Sequence, residues 1–436
     1  MTDKVLINAR WVVPVEPAGV ALERHAVAVR DGRIEAVLPM AEAAQRFADY
    51  ARVDLSGHAL IPGMVNAHTH AAMALMRGVA DDLPLMRWLQ EHVWPIEARH
   101  ASAQFVKDGT LLACAEMLRG GVTCMNDMYF FPEAALEAAL AAGMRAALGL
   151  IVVEFASAYA ADPDQYLAKG LALRDEWREQ PLVSFCLAPH APYTVADATF
   201  RKVAQLAAEL ELPVHIHVHE TLEEIERSVG EHGMRPLQRL EHLGLLGPNL
   251  IAVHAVHLEP AEIALLARHG CSVAHCPSSN LKLASGFAPV AALLAAGVNV
   301  ALGTDGAASN NRLDLFQEMR IAALLAKAVA RDAAAMPAHA ALRAATLGGA
   351  MALGLEQRIG SIVPGKAADL AAVAFDSLEL QPAYDVVSHL VYACGREHVT
   401  DVWVGGERVV RDRTLTRLDL SDLQGRVGLW QTKILN

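Results

Sequence analysis

The chain has few aromatic residues, no paired cysteine motif and no cluster of basic residues. Aromatic residues make up 5% of the 436 residues, and the six cysteines form no CxxC pair or disulfide-like spacing. This excludes a small disulfide-built secreted domain, and we expect reduced cysteines in a cytoplasmic protein. The net charge of −12, without a local run of Lys or Arg, argues against nucleic acid as a partner.

The chain also lacks a long uninterrupted hydrophobic run. Its longest apolar stretches, such as residues 288–303, are too short to span a bilayer, so no membrane partner is expected. Residues 1–6 carry charges without the apolar core of a signal peptide. With 53% hydrophobic residues, the chain can nevertheless bury one large core and a smaller one.

Short β-rich runs alternate with longer helical stretches rich in alanine and leucine through most of the chain. This alternation is typical of βα units around a parallel sheet. We therefore predict an α/β fold with a (β/α)₈ TIM-like barrel, whose active site lies at the carboxyl ends of the strands. The eight predicted strands cover residues 63–67, 121–128, 145–153, 182–189, 212–218, 250–256, 271–275 and 298–303.

The two ends of the chain differ from this pattern. Residues 1–60 and 366–436 contain short alternating strands with turn signals such as Asp31-Gly32 and Gly405-Gly406. We predict that they pair into one small β-sandwich domain, which leaves residues 61–365 for the barrel. Residues 419–434 are predicted to form an amphipathic helix that serves packing or the surface of a homo-oligomer.

Histidines and acidic residues follow six of the eight predicted strands at their carboxyl ends. Core packing alone rarely places so many ionisable residues at one end of a barrel. The shared position therefore indicates a functional site. The residues are His68, His70, His190, His215, His217, His219, Glu220, His254, His257, His275 and Asp305.

His68 and His70 lie two residues apart after the first strand, so their side chains point the same way. Together with one histidine of the fifth strand and Asp305 after the eighth, they would hold a single divalent metal ion. Zn²⁺ fits this donor set best, and Fe²⁺, Co²⁺ and Mn²⁺ tolerate it. Spacing alone leaves the fifth-strand ligand open among His215, His217 and His219.

Four motifs resemble the amidohydrolase superfamily, and more closely its branch of single-metal deaminases and s-triazine hydrolases. The likeness extends nearly from end to end and includes residues 360–370, which in that family return the chain to the small β-domain. The motifs are residues 62–70 (PGMVNAHTH), 215–221 (HIHVHET), 274–280 (AHCPSSN) and 302–306 (LGTDG).

The resemblance implies which residues hold the metal. His217 is selected from the fifth strand because the family's glutamate lies three residues later, at Glu220. No lysine ends the fourth strand, where two-metal relatives carry a carboxylated one, so one metal ion is expected. The implied ligands are His68, His70, His217 and Asp305.

The resemblance also implies a reaction, the hydrolytic deamination of an aromatic N-heterocycle. A metal-activated hydroxide would attack the ring, with Asp305 and His254 taking its proton. Glu220 would protonate the ring nitrogen beside the attacked carbon, after which ammonia departs. His215, His219 and His257 are interpreted as core or surface histidines without a role, and the role of His275 stays open.

Within the family, the chain is most similar to the 5′-methylthioadenosine/S-adenosylhomocysteine deaminases. Residues 88–97 (WLQEHVWPIE) and 188–193 (APHAPY) carry this likeness. A small-molecule nucleoside is therefore the expected substrate, converted to its inosine analogue. Glu97 would accept hydrogen bonds from the ribose hydroxyls and His190 would contact the purine ring. The implied substrate-binding residues are Trp88, Glu97, His190 and Glu220.

Residues 155–166, which follow the third strand, contain no Lys or Arg to meet a homocysteine carboxylate. We therefore expect 5′-methylthioadenosine to be preferred over S-adenosylhomocysteine, unless Arg77, Arg87 or a neighbouring subunit supplies a cation. An s-triazine hydrolase is the alternative on the same scaffold, although a triazine offers no ribose to Glu97. A catalytically silent barrel is disfavoured because the full set of ligands is present.

Overall fold

The computed structural model describes residues 4–436, which contain sixteen strands. The strands are β1 (Lys4–Val12), β2 (Leu22–Arg30), β3 (Arg33–Pro39), β4 (Ala51–Pro62), β5 (Met64–Thr69), β6 (Val122–Met128), β7 (Arg145–Val152), β8 (Val183–Pro189), β9 (Val214–Val218), β10 (Leu250–His254), β11 (Ser272–His275), β12 (Asn299–Leu302), β13 (Leu370–Ala374), β14 (Val399–Val404), β15 (Glu407–Arg411) and β16 (Thr414–Leu415).

Strands β5 to β12 form the predicted parallel barrel, in which each strand pairs with the next in chain order. Each predicted strand overlaps one of these eight strands. Every residue of β5, β6 and β7 is buried, as expected for parallel strands covered by helices on the outside and side chains on the inside. The (β/α)₈ prediction is confirmed.

The barrel closes where β12 returns to β5. Asn66 Nδ2 donates to Thr304 Oγ1 at 2.8 Å, and the amide of Thr304 donates to Asn66 Oδ1 at 3.0 Å. The amide of Asp305 donates to the carbonyl of His68 at 3.0 Å. A Cβ atom at Gly303 would lie 2.8 Å from that of His68, so glycine permits this close approach. This contact, which we call the seam, brings the last strand against the first.

The two chain ends form a second, separate sheet, in the order β16-β15-β14-β13-β4-β1-β2-β3. Its pairs are antiparallel except for β1 and β4, which run parallel. β4 and β13 lie side by side and join the first part of the chain to the last. The predicted small β-domain built from both chain ends is thus confirmed, as one separate mixed sheet.

Helices connect the strands, and several begin at a side-chain cap. Thr221 Oγ1, for example, accepts the amide of Glu224 and starts the helix after β9. The helices are α1 (Met40–Arg46), α2 (Leu85–Trp88), α3 (Trp94–His100), α4 (Ala103–Arg119), α5 (Pro132–Ala142), α6 (Pro163–Trp177), α7 (Asp197–Leu210), α8 (Leu222–His232), α9 (Pro236–His242), α10 (Pro260–His269), α11 (Pro277–Lys282), α12 (Val290–Ala295), α13 (Ala307–Asn310), α14 (Leu315–Ala330), α15 (Ala338–Arg343), α16 (Gly349–Ala352), α17 (Val386–Tyr392) and α18 (Leu420–Leu435).

Shorter helical turns complete the connections. Residues Ala71–Met76, Leu378–Leu380 and Arg396–His398 form 3₁₀ turns, and Leu89–Val93 and Ala344–Gly348 form π-helical turns. Across residues 4–436, we find no helix that combines the length and the apolar character needed to cross a bilayer. Residues 1–3, on which the prediction about a signal peptide partly depends, lie outside the described residues. The six cysteines are buried and unpaired.

Candidate active site

Four side chains converge at the carboxyl end of the barrel. His217 Nε2 lies 3.2 Å from His68 Nε2 and 3.3 Å from His70 Nε2. Asp305 Oδ1 lies 3.3 Å from the Nε2 atom of both His68 and His70. Ligand atoms that bind one ion at about 2.0 Å lie about 3 Å from one another. These four distances therefore fit one divalent metal ion, with three nitrogen ligands and one oxygen.

Hydrogen bonds on the outer side of the rings direct bare nitrogens to the centre. His70 Nδ1 lies 2.6 Å from the carbonyl oxygen of Met128, and His217 Nδ1 lies 2.7 Å from that of His190. Because a carbonyl oxygen only accepts, both rings carry their proton on Nδ1 and present a lone pair at Nε2. Two lone pairs that face each other at this distance repel, and a cation between them removes the repulsion.

His215, for which no role was predicted, lies against one of the candidate ligands. Its Nε2 atom is 2.9 Å from His68 Nδ1, so His68 donates there when its own Nε2 atom faces a metal. His215 Nδ1 is buried and has no hydrogen-bond partner among the described residues. By contrast, His219 accepts the amide of Leu237 at Nε2 and does not join the centre. The alternation of side chains along β9 indicates that His215 points into the barrel, but it does not show that His215 contacts His68.

The environment sets the charge of the candidate ligands. Burial lowers the pKa of His68 to about 4, and burial also holds the pKa of His217 well below its usual value. Burial alone would raise the pKa of Asp305, but contact with His68 and the nearby His70 outweighs it and holds that pKa well below the usual range. Neutral imidazoles and an ionised carboxylate are the states that bind metals.

Asp305 is held on both carboxylate oxygens. Oδ2 accepts hydrogen bonds from Ser279 Oγ at 2.6 Å and from Ser309 Oγ at 2.7 Å, while Oδ1 accepts the amide of Gly306 at 2.8 Å. The backbone of Asp305 is left-handed, with φ 58°, as is that of His254, with φ 69°. Such conformations are rare outside glycine and cluster at functional sites.

Glu220 and His254 lie beside the centre. His254 ends β10, and its Nε2 atom is 3.8 Å from Glu220 Oε2. Burial opposes a charge on His254, but the carboxylates of Glu220 and Asp305 outweigh it and raise its pKa. Burial raises the pKa of Glu220, which favours its protonated form. The pair can therefore hold and exchange a proton.

The turn that carries Glu220 is fixed from below by another buried acid. The carboxylate of Glu224, in the first turn of α8, accepts the amides of His219 and Glu220, each at 2.9 Å. Burial raises the pKa of Glu224 to about 7. Sequence reasoning missed Glu224, because an acid in the first turn of a helix is common for electrostatic reasons alone.

A cavity of about 1160 Å³ opens over these residues. It brings together the predicted metal ligands, proton carriers and substrate contacts, apart from His68, which is buried beneath. Its wall near β6 and β7 is largely apolar and includes Phe130, Ile151, Val153 and Tyr159. The predicted site residues that line it are His70, Trp88, Glu97, His190, His217, Glu220, His254 and Asp305.

Glu97 and His190 both line the cavity. Tyr129 OH donates to Glu97 Oε1 at 2.6 Å, and burial raises the pKa of the Glu97 carboxyl group. Burial lowers the pKa of His190 to about 3, so its ring is neutral and Nδ1 pairs with Thr194 Oγ1 at 3.0 Å. The sequence did not indicate this role of Tyr129, because Tyr129 follows β6 whereas Glu97 lies in α3, 32 residues earlier.

The arginines named from the sequence do not reach the cavity. Arg77 bonds Glu116, and Arg87 pairs with Glu91 on the surface at 3.0 Å. Two other arginines line the cavity. Arg239 is buried and donates to Asp197, to the carbonyl of Pro192 and to that of Val195. Arg227, about half exposed, pairs with Glu231 at 2.9 Å.

The profile of the amidohydrolase family matches residues 59–409. The chain is 50% identical to a 5-methylthioadenosine/S-adenosylhomocysteine deaminase of Teredinibacter turnerae, over 98% of this chain and 97% of that protein. It superposes on a zinc-bound adenosine deaminase of Xanthomonas campestris with a TM-score of 0.97 and 55% identity, covering 99% and 98% of the two chains. An atrazine chlorohydrolase of Arthrobacter aurescens in complex with zinc superposes at 0.90 with 25% identity, over 98% of this chain and 100% of that one.

Proposed function

The chain belongs to the amidohydrolase family, and from this premise we propose that it is a hydrolase that deaminates adenine nucleosides. Its substrates are 5′-methylthioadenosine and S-adenosylhomocysteine, and its products are the inosine analogue and ammonia. One observation carries this proposal: a single cavity joins the four-atom centre, the buried acid Glu220 and the carboxylate of Glu97. A hydrolytic centre, a proton donor and a ribose acceptor thus line one space.

We propose Zn²⁺ as the metal, held by His68, His70, His217 and Asp305. Three imidazole nitrogens and one carboxylate oxygen suit this ion, and the donor set also tolerates Fe²⁺, Co²⁺ and Mn²⁺. The similar Xanthomonas campestris structure is described with bound zinc, which supports the choice. A divalent metal in such a site would lower the pKa of bound water to about 7 and so would supply a nucleophile at neutral pH.

The proton transfers are assigned to three side chains of this protein. Asp305 and His254 take the proton of the attacking water, since both are buried beside the centre and His254 has a raised pKa. Glu220 keeps a proton because its carboxyl group is buried, and it donates that proton to the purine ring nitrogen beside the attacked carbon. Protonation there makes the carbon electrophilic. The proton taken from water passes to the exocyclic amino group, whose C–N bond breaks to release ammonia, and the proton of the new hydroxyl group returns to Glu220 as the ring recovers its conjugation.

Three further residues bind the nucleoside. The carboxylate of Glu97, oriented by Tyr129, accepts hydrogen bonds from the ribose hydroxyls. The neutral ring of His190 contacts the purine, and Trp88 forms part of the cavity wall. A triazine has no ribose, so this arrangement favours a nucleoside over the s-triazine alternative.

The apolar wall of the cavity favours 5′-methylthioadenosine over S-adenosylhomocysteine. Phe130, Ile151 and Val153 offer contacts to a neutral methylthio group but no charge to a carboxylate. Arg239 already donates to three partners. Among the described residues that line the cavity, Arg227 is the remaining arginine that could meet the carboxylate of an amino acid tail.

The six buried cysteines support a location in the reducing cytoplasm.

The test is a steady-state ultraviolet assay of the zinc-loaded protein, with released ammonia measured in parallel. The compounds are 5′-methylthioadenosine, S-adenosylhomocysteine, adenosine and an amino-s-triazine. We expect rapid loss of the adenine spectrum with 5′-methylthioadenosine and a lower kcat/KM for S-adenosylhomocysteine. Turnover of the triazine with no reaction of any nucleoside would refute the assignment. An equal or reversed ratio between the two thioethers would refute only their ranking.

A further inference from the structure

The motif at residues 274–280 contacts two of the proposed proton carriers. Its last two residues lie in α11 and are almost completely buried, with Ser279 0% and Asn280 1% exposed. Ser279 Oγ donates to Asp305 Oδ2 at 2.6 Å. Asn280 Oδ1 lies 2.8 Å from His254 Nδ1. Two consecutive side chains thus contact the two groups to which the proton transfer from water is assigned.

We propose that Asn280 is a positioning residue that fixes the tautomer and the orientation of the His254 ring, with Nδ1 bonded to the amide oxygen and Nε2 facing Glu220. This proposal depends on the proposed function, because it concerns a step of that reaction. The amide oxygen of Asn280 can only accept, so His254 keeps a proton on Nδ1 in both its neutral and its charged form. Nε2, which is 3.8 Å from Glu220 Oε2, is then the nitrogen that carries a lone pair on the neutral ring and faces Glu220.

The other end of the same amide supports this role. Asn280 Nδ2 is buried and has no hydrogen-bond partner among the described residues. A buried donor without a partner costs about 1–3 kcal/mol. An apolar side chain of the same size would fill the space without that cost. Packing therefore does not account for an amide here, whereas an acceptor for His254 does.

The backbone of α11 is held firmly enough to orient the amide. Glu318 is fully buried, and its Oε2 atom accepts the amide of Ser278 at 3.0 Å. Its other oxygen accepts Asn310 Nδ2 at 2.9 Å, which ties α11 to α13 and α14. The side chain of Asn280 thus projects from a backbone that is bound to the neighbouring elements.

The test compares two substitutions of the same residue. Asn280→Leu keeps the number and branching of the side-chain heavy atoms but removes the acceptor, whereas Asn280→Asp keeps an oxygen acceptor. Loss of a hydrogen-bond partner that supports a metal site typically costs about 10–100-fold in activity. We expect Asn280→Leu to lower kcat by roughly that factor with unchanged KM and zinc content, and Asn280→Asp to stay within about fivefold of wild type.

Asn299 provides the matched control. Asn299 begins β12, whereas Asp305 follows the other end of that strand. Asn299 donates to Ser272 Oγ and to the carbonyl of Gly348, and to none of the proton carriers. Asn299→Leu should lower the melting temperature but leave kcat unchanged. Full activity of Asn280→Leu, equal losses in its Asp and Leu variants, or a loss confined to KM would each overturn the proposal. An inactive wild type would instead refute the proposed function.

A second measurement determines the tautomer of His254 in the wild-type protein. Nitrogen chemical shifts of ¹⁵N-histidine-labelled, zinc-loaded wild type report the tautomer of each ring. The resonances of His254 are identified by their loss in His254→Gln. At a pH where the ring is neutral, we expect a protonated Nδ1 and a bare Nε2. The opposite tautomer would overturn the proposal.

Discussion

Two regions of this molecule bury charged groups, and they do so in opposite ways. At the junction between the barrel and the end sheet, Arg145 meets Asp369 through contacts of 2.9 and 3.1 Å. Asp369 Oδ1 also accepts the amide of Gly405, and Arg145 donates to the carbonyl of Pro181. At the mouth of the barrel, three imidazoles and one carboxylate instead point at a single spot.

The difference distinguishes a structural site from a functional one. A buried ion pair with all its hydrogen bonds made is complete within the protein, and its role is to hold two sheets together. A buried cluster in which like groups face one another is incomplete without a ligand. Burial alone would not separate the two regions, because Asp305 and Asp369 are both buried.

The largest effect is expected from Asp305→Ala, which removes one of the four side chains that converge at the mouth of the barrel. The loss of one of four candidate ligands should abolish metal binding and lower kcat by at least roughly 10⁴-fold, because the water is no longer activated. Metal analysis and steady-state kinetics check this. A variant that retains stoichiometric zinc and turnover would show that Asp305 is not a ligand.

Glu220→Gln tests the proton donor at the mouth of the barrel without removing a candidate metal ligand. The amide cannot supply the ring proton, so kcat should fall by about 10³-fold, within the usual range for general acid catalysis, while zinc remains bound. Zinc content and rapid kinetics on 5′-methylthioadenosine measure both effects. Wild-type turnover in this variant would remove Glu220 from the mechanism.

Asp369→Ala tests the junction. It leaves Arg145 buried without its partner, which should lower the free energy of unfolding by about 3–5 kcal/mol while kcat of the folded protein stays near wild type. Denaturant unfolding measures the loss. The double variant Arg145→Met with Asp369→Leu should recover most of the stability, since no buried charge remains. No recovery would mean that the pair acts through more than its charges.

The smallest expected effect comes from Glu97→Gln. One carboxylate oxygen becomes an amide nitrogen, so kcat/KM for 5′-methylthioadenosine should fall about tenfold, or about 1.4 kcal/mol. The same substitution should hardly change kcat/KM for 2′,3′-dideoxyadenosine, which has no vicinal hydroxyls. An equal loss on both nucleosides would place Glu97 away from the ribose.

The barrel was predictable from the sequence because its signal is local. Buried parallel strands and the helices between them leave a pattern in short windows, and each predicted strand overlaps an observed one. The choice among His215, His217 and His219 was not predictable from spacing, because all three share one face of the strand. That choice required the family motif, and the structure then placed His217 beside His68 and His70.

The supporting residues of the site left no comparable signal. Tyr129, Glu224 and Asn280 act through contacts with side chains or amides that the fold brings near, and their types are ordinary for a strand end or a helix start. Arg77 and Arg87 show the converse, since each is a plausible cation in sequence but is paired elsewhere in the fold. Periodicity reports which face a residue occupies, whereas these roles depend on which neighbour it meets.

The seam between β5 and β12 has a consequence for the order of folding. Asn66 and Thr304, which bond across it, are 238 residues apart, and the candidate ligands His68 and Asp305 flank the same contact. Closing so long a loop costs entropy that is recovered only when the last strand docks. A chain still emerging from the ribosome holds at most three of the four ligands until residue 305 appears. Tight zinc uptake would therefore report that synthesis and closure of the barrel are complete.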